Sequence, residues 1–283
     1  MIALGVDTLC WHLLLERGEI SVERVLEEAR DLGCDHVQLS LHHVRTRSVA
    51  QLESLGEQGL LLLASGDFLG AARKGDRVEE GVARVEGWLE GAAAIGSPIL
   101  RVASGFYRVD LVGEPETIEL ERRYVIDVLA GSLPLAESAG IQLVLENHSD
   151  FSIGEYRSIV EELPRVGVFL DLINPIAALD DPLPVIEQLA PLAPAGHVKD
   201  YEFRSIQTDD AYHRRGFEVL YRYPGEGVAP LRDLVGALRA AIGERPFFLG
   251  VEGLDNRAGV HDQLERLRPS LALLRELVES PGG

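Results

Sequence analysis

Four residues with carboxylate or imidazole side chains stand at the ends of four apolar segments in the second half of the chain. Glu146 ends IQLVLE, Asp171 ends VGVFLD, His197 lies within AGHVKD and Glu252 ends FFLGVE. Such side chains are costly to bury alone, so their repeated position indicates a shared task. Three carboxylates and one imidazole favour a single hard to borderline cation. We expect Mn²⁺, with Co²⁺, Mg²⁺ or Zn²⁺ as alternatives.

The spacing of these residues indicates that they belong to different strands of one sheet. Glu146 and Asp171 are 25 residues apart, and Asp171 and His197 are 26 apart. Each interval is about one strand–helix unit of an α/β barrel. The 55 residues from His197 to Glu252 allow one unit plus an insert at about 201–227. Four strand ends then converge on one mouth of the barrel.

Apolar runs recur eight times along the chain and suit parallel strands that are covered on both faces. The predicted strands lie near Ala3–Asp7, His36–Ser40, Leu60–Ser65, Ile99–Ala103, Gln142–Glu146, Gly167–Asp171, Gly196–Lys199 and Phe247–Glu252. Helical patterns follow several of them, and the predicted helices span Ser21–Gly33, Asp76–Gly96, Thr117–Gly140, Leu231–Ile242 and His261–Val278. We expect the third helix to be bent or interrupted near Gly131 and Pro134.

This alternation predicts a single (β/α)₈ TIM barrel over residues 1–283. An open, doubly wound sheet is the alternative fold. The GxGxxG loop that often follows the first strand of such a sheet is absent here.

The bulk composition excludes several classes of partner. The formal net charge is −19, and no cluster of Lys and Arg offsets it locally, so we expect no nucleic-acid binding. That charge also counts against a barrel-type abasic-site endonuclease. No apolar run approaches the roughly 20 residues that span a bilayer, and no signal peptide is recognisable, so we expect a cytoplasmic location. Cys10 and Cys34 are predicted to be buried free thiols.

The sequence around the four residues resembles the xylose-isomerase-like sugar phosphate isomerase/epimerase superfamily. The matching motifs are LENH (145–148), FLDLIN (169–174), GHVKD (196–200), PGEG (224–227) and GVEG (250–253). The resemblance implies that Glu146, Asp171, His197 and Glu252 bind one divalent ion. It also implies that Glu146 and Glu252 form a proton-transfer pair. The chain departs from many members at Asn174, where they carry a histidine.

Further residues are predicted to contact substrate. His148 follows Glu146 by two positions, and Asn174 can donate a hydrogen bond to a hydroxyl group. Lys199 is one of only two lysines, which suggests a need for a compact ammonium group beside His197. Arg222 resembles a family arginine that reaches substrate, with Arg204 as a rival. The segment 201–223 is interpreted as a lid or an oligomer contact.

Residues after the first two strands could line the same mouth. Asp7, Trp11–His12 and His42–His43 occupy these positions. The two adjacent histidines would point to opposite sides of a strand, so at most one is expected to face the pocket.

These features together predict a metal-dependent isomerase or epimerase of a sugar or keto-sugar. Proton removal beside a carbonyl gives an enediolate, which a divalent ion stabilises as a Lewis acid. A dehydratase or lyase acting on an inosose, a 3-keto-sugar or a dehydroshikimate-like acid needs the same residues and stays open. A noncatalytic sugar-binding barrel is the alternative of another class. The resemblance favours a homo-oligomer.

Overall fold

The computed structural model describes residues 1–206, 216–253 and 260–280, with the backbone alone at 260–262. The strands within these residues, in chain order, are β1 (Ile2–Asp7), β2 (His36–Ser40), β3 (Leu61–Phe68), β4 (Ile99–Ala103), β5 (Gln142–Glu146), β6 (Gly167–Asp171), β7 (Ala195–Val198), β8 (Asp200–Ser205), β9 (Phe217–Arg222) and β10 (Phe247–Val251).

Eight of the strands close into a barrel, in the order β1-β10-β7-β6-β5-β4-β3-β2. Every pairing within it is parallel, so all carboxyl ends open at the same mouth. The predicted TIM barrel is confirmed. β7 and β10 end one residue before Lys199 and Glu252, which therefore stand on the rim just beyond their strands.

A small apolar cluster fills the interior of the barrel and forms the floor below its mouth. Its buried members are Leu63, Ile99, Val144, Phe169 and Ala195. Side chains two positions apart on a strand point to the same face. The next inward residues of these five strands are therefore Ser65, Arg101, Glu146, Asp171 and His197. A polar layer thus lies directly on the apolar floor.

Helices connect the strands, and all but the two short ones at the mouth, which begin at His12 and Asn174, cover the outside of the barrel. They are α1 (His12–Glu16), α2 (Val22–Asp31), α3 (Val49–Gly56), α4 (Val78–Ala94), α5 (Pro115–Ala139), α6 (Ile153–Glu162), α7 (Asn174–Ala177), α8 (Pro182–Leu189), α9 (Leu231–Ile242) and α10 (Val260–Glu279). Their apolar stripes and the outer faces of the strands share one core. In α2, for example, the Ser21 hydroxyl caps the first turn by accepting from the Arg24 amide, and Val25 and Leu26 are buried.

The expected interruption of the third predicted helix does not occur, because α5 runs without a break through Pro134. Gly131 has a packing role there instead. A Cβ atom at this position would lie 2.8 Å from Val82 of α4, so the glycine lets the two helices approach closely. α5 makes extensive contacts with α4, and such packing can offset the backbone hydrogen bond that Pro134 is unable to donate.

The predicted insert contains an antiparallel hairpin made of β8 and β9. Its tip, 207–215, falls outside the described residues. Asp200 anchors its base, because the carboxylate accepts from the backbone amides of Gly225, Gly227 and Ala229 at 2.8–3.0 Å. A Cβ atom at Gly227 would lie 2.2 Å from the Tyr201 carbonyl oxygen, which explains a glycine in PGEG.

Two expectations from composition also have structural counterparts. Cys10 and Cys34 are both buried and free, as predicted. Among the described helices, none has the length and apolar character needed to cross a bilayer.

We predict that Leu63→Ala will lower the free energy of unfolding by about 2–5 kcal/mol, because it leaves a cavity in the closed floor. Urea denaturation followed by circular dichroism measures the change. Leu120→Ala is the matched control, since Leu120 is 51% exposed on α5 and its loss should cost less than about 0.5 kcal/mol. Equal losses in the two variants would contradict a packed barrel interior.

Candidate metal centre

The four residues singled out in the sequence meet around one nitrogen atom at the mouth of the barrel. Nδ1 of His197 lies 3.7 Å from Oε1 of Glu146, 3.9 Å from Oδ2 of Asp171 and 3.5 Å from Oε1 of Glu252. All four side chains are buried. The strand ends therefore converge as their spacing predicts.

Asp7 orients the imidazole from the far side. Its Oδ2 lies 3.0 Å from Nε2 of His197, and its Oδ1 accepts from the Leu9 amide at 2.7 Å. The Phe169 ring packs edge-on below, with ring centroids 4.7 Å apart. Nδ1 is left buried without a hydrogen-bond partner and faces three carboxylates. A cation in that space would satisfy all of these groups, so the residues fit a metal ion.

The charge on His197 supports the same interpretation. Burial lowers its pKa, but the carboxylates of Glu252 and Asp7 and the contact with Glu146 outweigh burial and raise the pKa to about 10. In the absence of a metal the ring is therefore the positively charged imidazolium, with a second proton, at neutral pH. A divalent ion would replace that proton, since metal binding to histidine requires the neutral ring.

Lys199 holds two of the proposed ligands together. Its ammonium group donates to Oδ2 of Asp171 at 2.6 Å and to the carboxylate of Glu252. It also lies 4.7 Å from the centre of the Tyr221 ring, a cation–π contact. The rare lysine thus sits at the carboxylates rather than on the surface.

Arg101 is a member of the site that sequence reasoning missed. It lies inside β4 and donates to the Glu146 carboxylate and to Oγ of Ser65, the latter at 2.6 Å. A single charged residue in the otherwise apolar strand ILRVA was the available signal. A buried arginine needs a buried anion, and Glu146 provides it.

The two glutamates are held in their ionised form. Burial raises the pKa of Glu146, but Arg101 and His197 outweigh it, and the pKa falls well below the ordinary range. Burial likewise raises the pKa of Glu252, and Lys199 and His197 bring it down to about 2. Both are carboxylates at neutral pH, which suits metal binding and proton abstraction alike.

Backbone amides hold the Asp171 carboxylate, and two asparagines contact Asp171 and Glu146. Oδ1 of Asp171 accepts from the amides of Ile173 and Asn174 at 2.7 and 2.8 Å. Asn147, which the sequence reasoning did not single out, bonds the backbone of Asp171 through both ends of its amide. The Asn174 side chain donates to Oε1 of Glu146 at 3.1 Å, so it reaches the centre itself.

His148 lies on an aromatic wall of the same mouth. Its ring centroid is 5.3 Å from that of Phe68 and 5.5 Å from that of Tyr107. Phe68 and Tyr107 are 40% and 46% exposed, whereas Nδ1 of His148 is buried without a hydrogen-bond partner. Arg222, in contrast, pairs with Glu202 across the hairpin. Its predicted contact with substrate stays a prediction.

Solved structures with a similar barrel span a range of stated activities. IolI with a bound zinc atom aligns at a TM-score of 0.74 and 17% identity, covering 99% of this chain and 100% of that one. D-psicose 3-epimerase gives 0.68 and 17%, covering 98% and 100%. The probable 3-DHS dehydratase AsbF from Bacillus anthracis gives 0.68 and 16%, covering 97% and 99%. At these identities the similarity shows the fold.

Sequence comparison gives the family. A search of the curated proteins finds no significant match. The family model described as xylose isomerase-like TIM barrel matches residues 26–277. That match spans most of the chain and agrees with the closed barrel of eight parallel strands. The chain therefore belongs to the xylose isomerase-like TIM barrel family.

Proposed function

We propose that this protein is a divalent-metal-dependent isomerase or epimerase of a sugar or keto-sugar, with Glu146 and Glu252 as its acid/base pair. The observation that carries the proposal is the meeting of the two carboxylates at His197, with oxygens 3.7 and 3.5 Å from the same Nδ1. The similarity of the barrel to that of D-psicose 3-epimerase supports it.

The positions of the two glutamates in the barrel suit proton exchange on two faces of a substrate carbon. Glu146 ends β5 and Glu252 follows β10, and these strands are three places apart in the ring of eight. Their carboxylates therefore approach the centre from nearly opposite walls. One can remove a proton from one face, and the other can return a proton to the opposite face once it carries one in the substrate complex.

Glu146, Asp171, His197 and Glu252 would hold the ion, as in the ligand set predicted from sequence. When bound, a divalent ion supplies Lewis-acid stabilisation of negative charge on a substrate oxygen. Arg101 and Lys199 hold Oε2 of Glu146 and Oε2 of Glu252, so that Oε1 of each glutamate faces His197. Lys199 also bonds Oδ2 of Asp171, the oxygen that lies nearest to the imidazole. Such outer contacts preorganise a metal site.

The wall of Phe68, Tyr107 and His148 would receive the sugar. Exposed aromatic rings pack against the C–H face of a sugar ring, and the His148 ring beside Phe68 and Tyr107 would complete this surface. Asn174 already donates to Glu146 and can share that amide with substrate.

Incubating the Mn²⁺-loaded protein in D₂O with a panel of ketoses, inososes and 3-keto-glycosides tests the proposal. We expect one substrate to give its epimer or isomer with deuterium at the carbon that exchanged its proton. A new enone absorbance would instead indicate the dehydratase reading. Binding of a sugar without any deuterium uptake would leave the noncatalytic alternative.

We predict that Glu252→Gln will reduce turnover by a factor of about 10²–10⁴, because an amide cannot exchange the proton. Circular dichroism should show a folded protein. Glu244→Gln is the matched control, since Glu244 is an exposed acid at the other end of β10. Near-normal turnover by Glu252→Gln would exclude Glu252 as a catalytic residue.

The buried carboxyl group of Asp150 is linked through the Tyr156 hydroxyl to the backbone of Glu146, at the end of β5. Asp150 accepts from the Phe151 amide at 2.7 Å and hydrogen-bonds with the hydroxyls of Ser104 and Tyr156. The Tyr156 hydroxyl also lies 2.7 Å from the Glu146 carbonyl oxygen. Burial raises the pKa of Asp150 to about 8, despite the hydrogen bond from Tyr156. The folded protein therefore holds a proton there at neutral pH.

This pKa predicts a pH dependence of stability that Asp150→Asn should remove. The folded carboxyl binds its proton more tightly than the unfolded one, so its contribution is complete below about pH 4. It is lost as pH rises toward 8, by at most about 1.4 kcal/mol per pH unit. Urea midpoints between pH 5 and 8 should therefore fall more steeply for the wild type than for the variant, whose amide stays neutral. Parallel curves would contradict the raised pKa.

A further inference from the structure

A second group of metal-binding side chains lies apart from the four central residues, on the first two loops at the mouth. His12 and Glu16 are the first and last residues of α1, and His43 belongs to the short 3₁₀ turn Leu41–Val44. Nδ1 of His12 lies 2.9 Å from Nε2 of His43. One donor atom from each of the three residues falls within 4.8 Å of the others. Glu16 is exposed and the two histidines are only partly buried, so an ion can reach all three residues from solvent.

We propose that His12, Glu16 and His43 form a second cation site, for an ion of the zinc class. Two imidazoles and one carboxylate are a ligand set that zinc commonly takes in proteins, with water completing the coordination. His12 and Glu16 are four residues apart, which places them on the same face of the helix. His43 reaches them from the neighbouring loop.

The surroundings orient His43 as they would a metal ligand. Its Nδ1 lies 3.0 Å from Oγ1 of Thr8, and that oxygen accepts from the Ser40 amide at 3.0 Å. The contact fixes the plane of the ring and turns Nε2 toward His12. A ligating histidine usually has its second nitrogen held in this way.

Two basic groups already contact Glu16 and set how tightly an ion can bind. The Arg45 guanidinium bonds both oxygens of Glu16, at 3.1 and 3.3 Å, and Nε2 of His42 lies 3.2 Å from Oε1. An ion would share the carboxylate with Arg45 and be repelled by its charge. The affinity of the site is therefore limited by Arg45, and removal of that charge should strengthen binding.

The second site shares no ligand with the central one and differs from it in chemistry. The central set has three carboxylates and one imidazole, whereas this set has two imidazoles and one carboxylate. Oxygen-rich sites suit Mn²⁺, and imidazole-rich sites suit Zn²⁺. We therefore expect the protein to bind one equivalent of Mn²⁺ but two of Zn²⁺.

Zinc titration of the metal-free protein, in competition with a chromogenic chelator, tests the proposal. The wild type should bind two equivalents, and His12→Asn and His43→Asn should each lose one. Arg45→Gln should bind the second equivalent about fivefold more tightly, from the loss of one nearby charge. Glu19→Gln, which removes an exposed acid three residues from Glu16, should still bind two.

Variants at the two sites separate this proposal from the central one. Glu252→Gln should weaken the binding of one zinc equivalent and leave unchanged the binding of the equivalent that depends on His12. A second equivalent that persists in the double variant His12→Asn/His43→Asn would overturn the assignment. So would a wild-type protein whose zinc stoichiometry is unchanged by either single histidine variant.

Discussion

Burial of several like charges in one small volume is the constraint on which the rest of the structure depends. Four carboxylates surround His197, and only two permanently charged side chains, Arg101 and Lys199, contact them among the described residues. The remaining negative charge has to be met by a proton on His197 or by a cation, because unpaired buried charge is strongly unfavourable. A divalent ion bound among these carboxylates would compensate the remaining negative charge.

The alternation of side chains along the strands explains how the barrel accommodates these buried carboxylates. Each inward apolar residue of the floor precedes a polar residue of the site by two positions, so one register fixes both layers. The dry cluster below keeps water away from one side of the carboxylates and gives them rigid supports. Phe169 shows the coupling directly, since it packs in the floor and against the edge of His197.

Much of this arrangement follows from sequence because the features involved are local. Apolar runs that end in Glu146 or Asp171 reveal both the strand and the group at its end, and the scarcity of lysine draws attention to Lys199. Contacts created by closure of the barrel were beyond such reasoning. Asp7 meets His197 only because β1 closes the barrel beside β10, and Arg101 finds Glu146 across neighbouring strands. Likewise, the sequence around Pro134 does not reveal that α5 packs against α4 and continues through the proline.

Asp200 connects the hairpin of β8 and β9 to the candidate metal centre. Its carboxylate ties the hairpin of β8 and β9 to the PGEG turn, and the residue before it is Lys199. The first residue of the hairpin is therefore joined by one peptide bond to Lys199, whose ammonium group contacts Asp171 and Glu252. A displacement of the hairpin at Asp200 would therefore also move Lys199 and its contacts with Asp171 and Glu252.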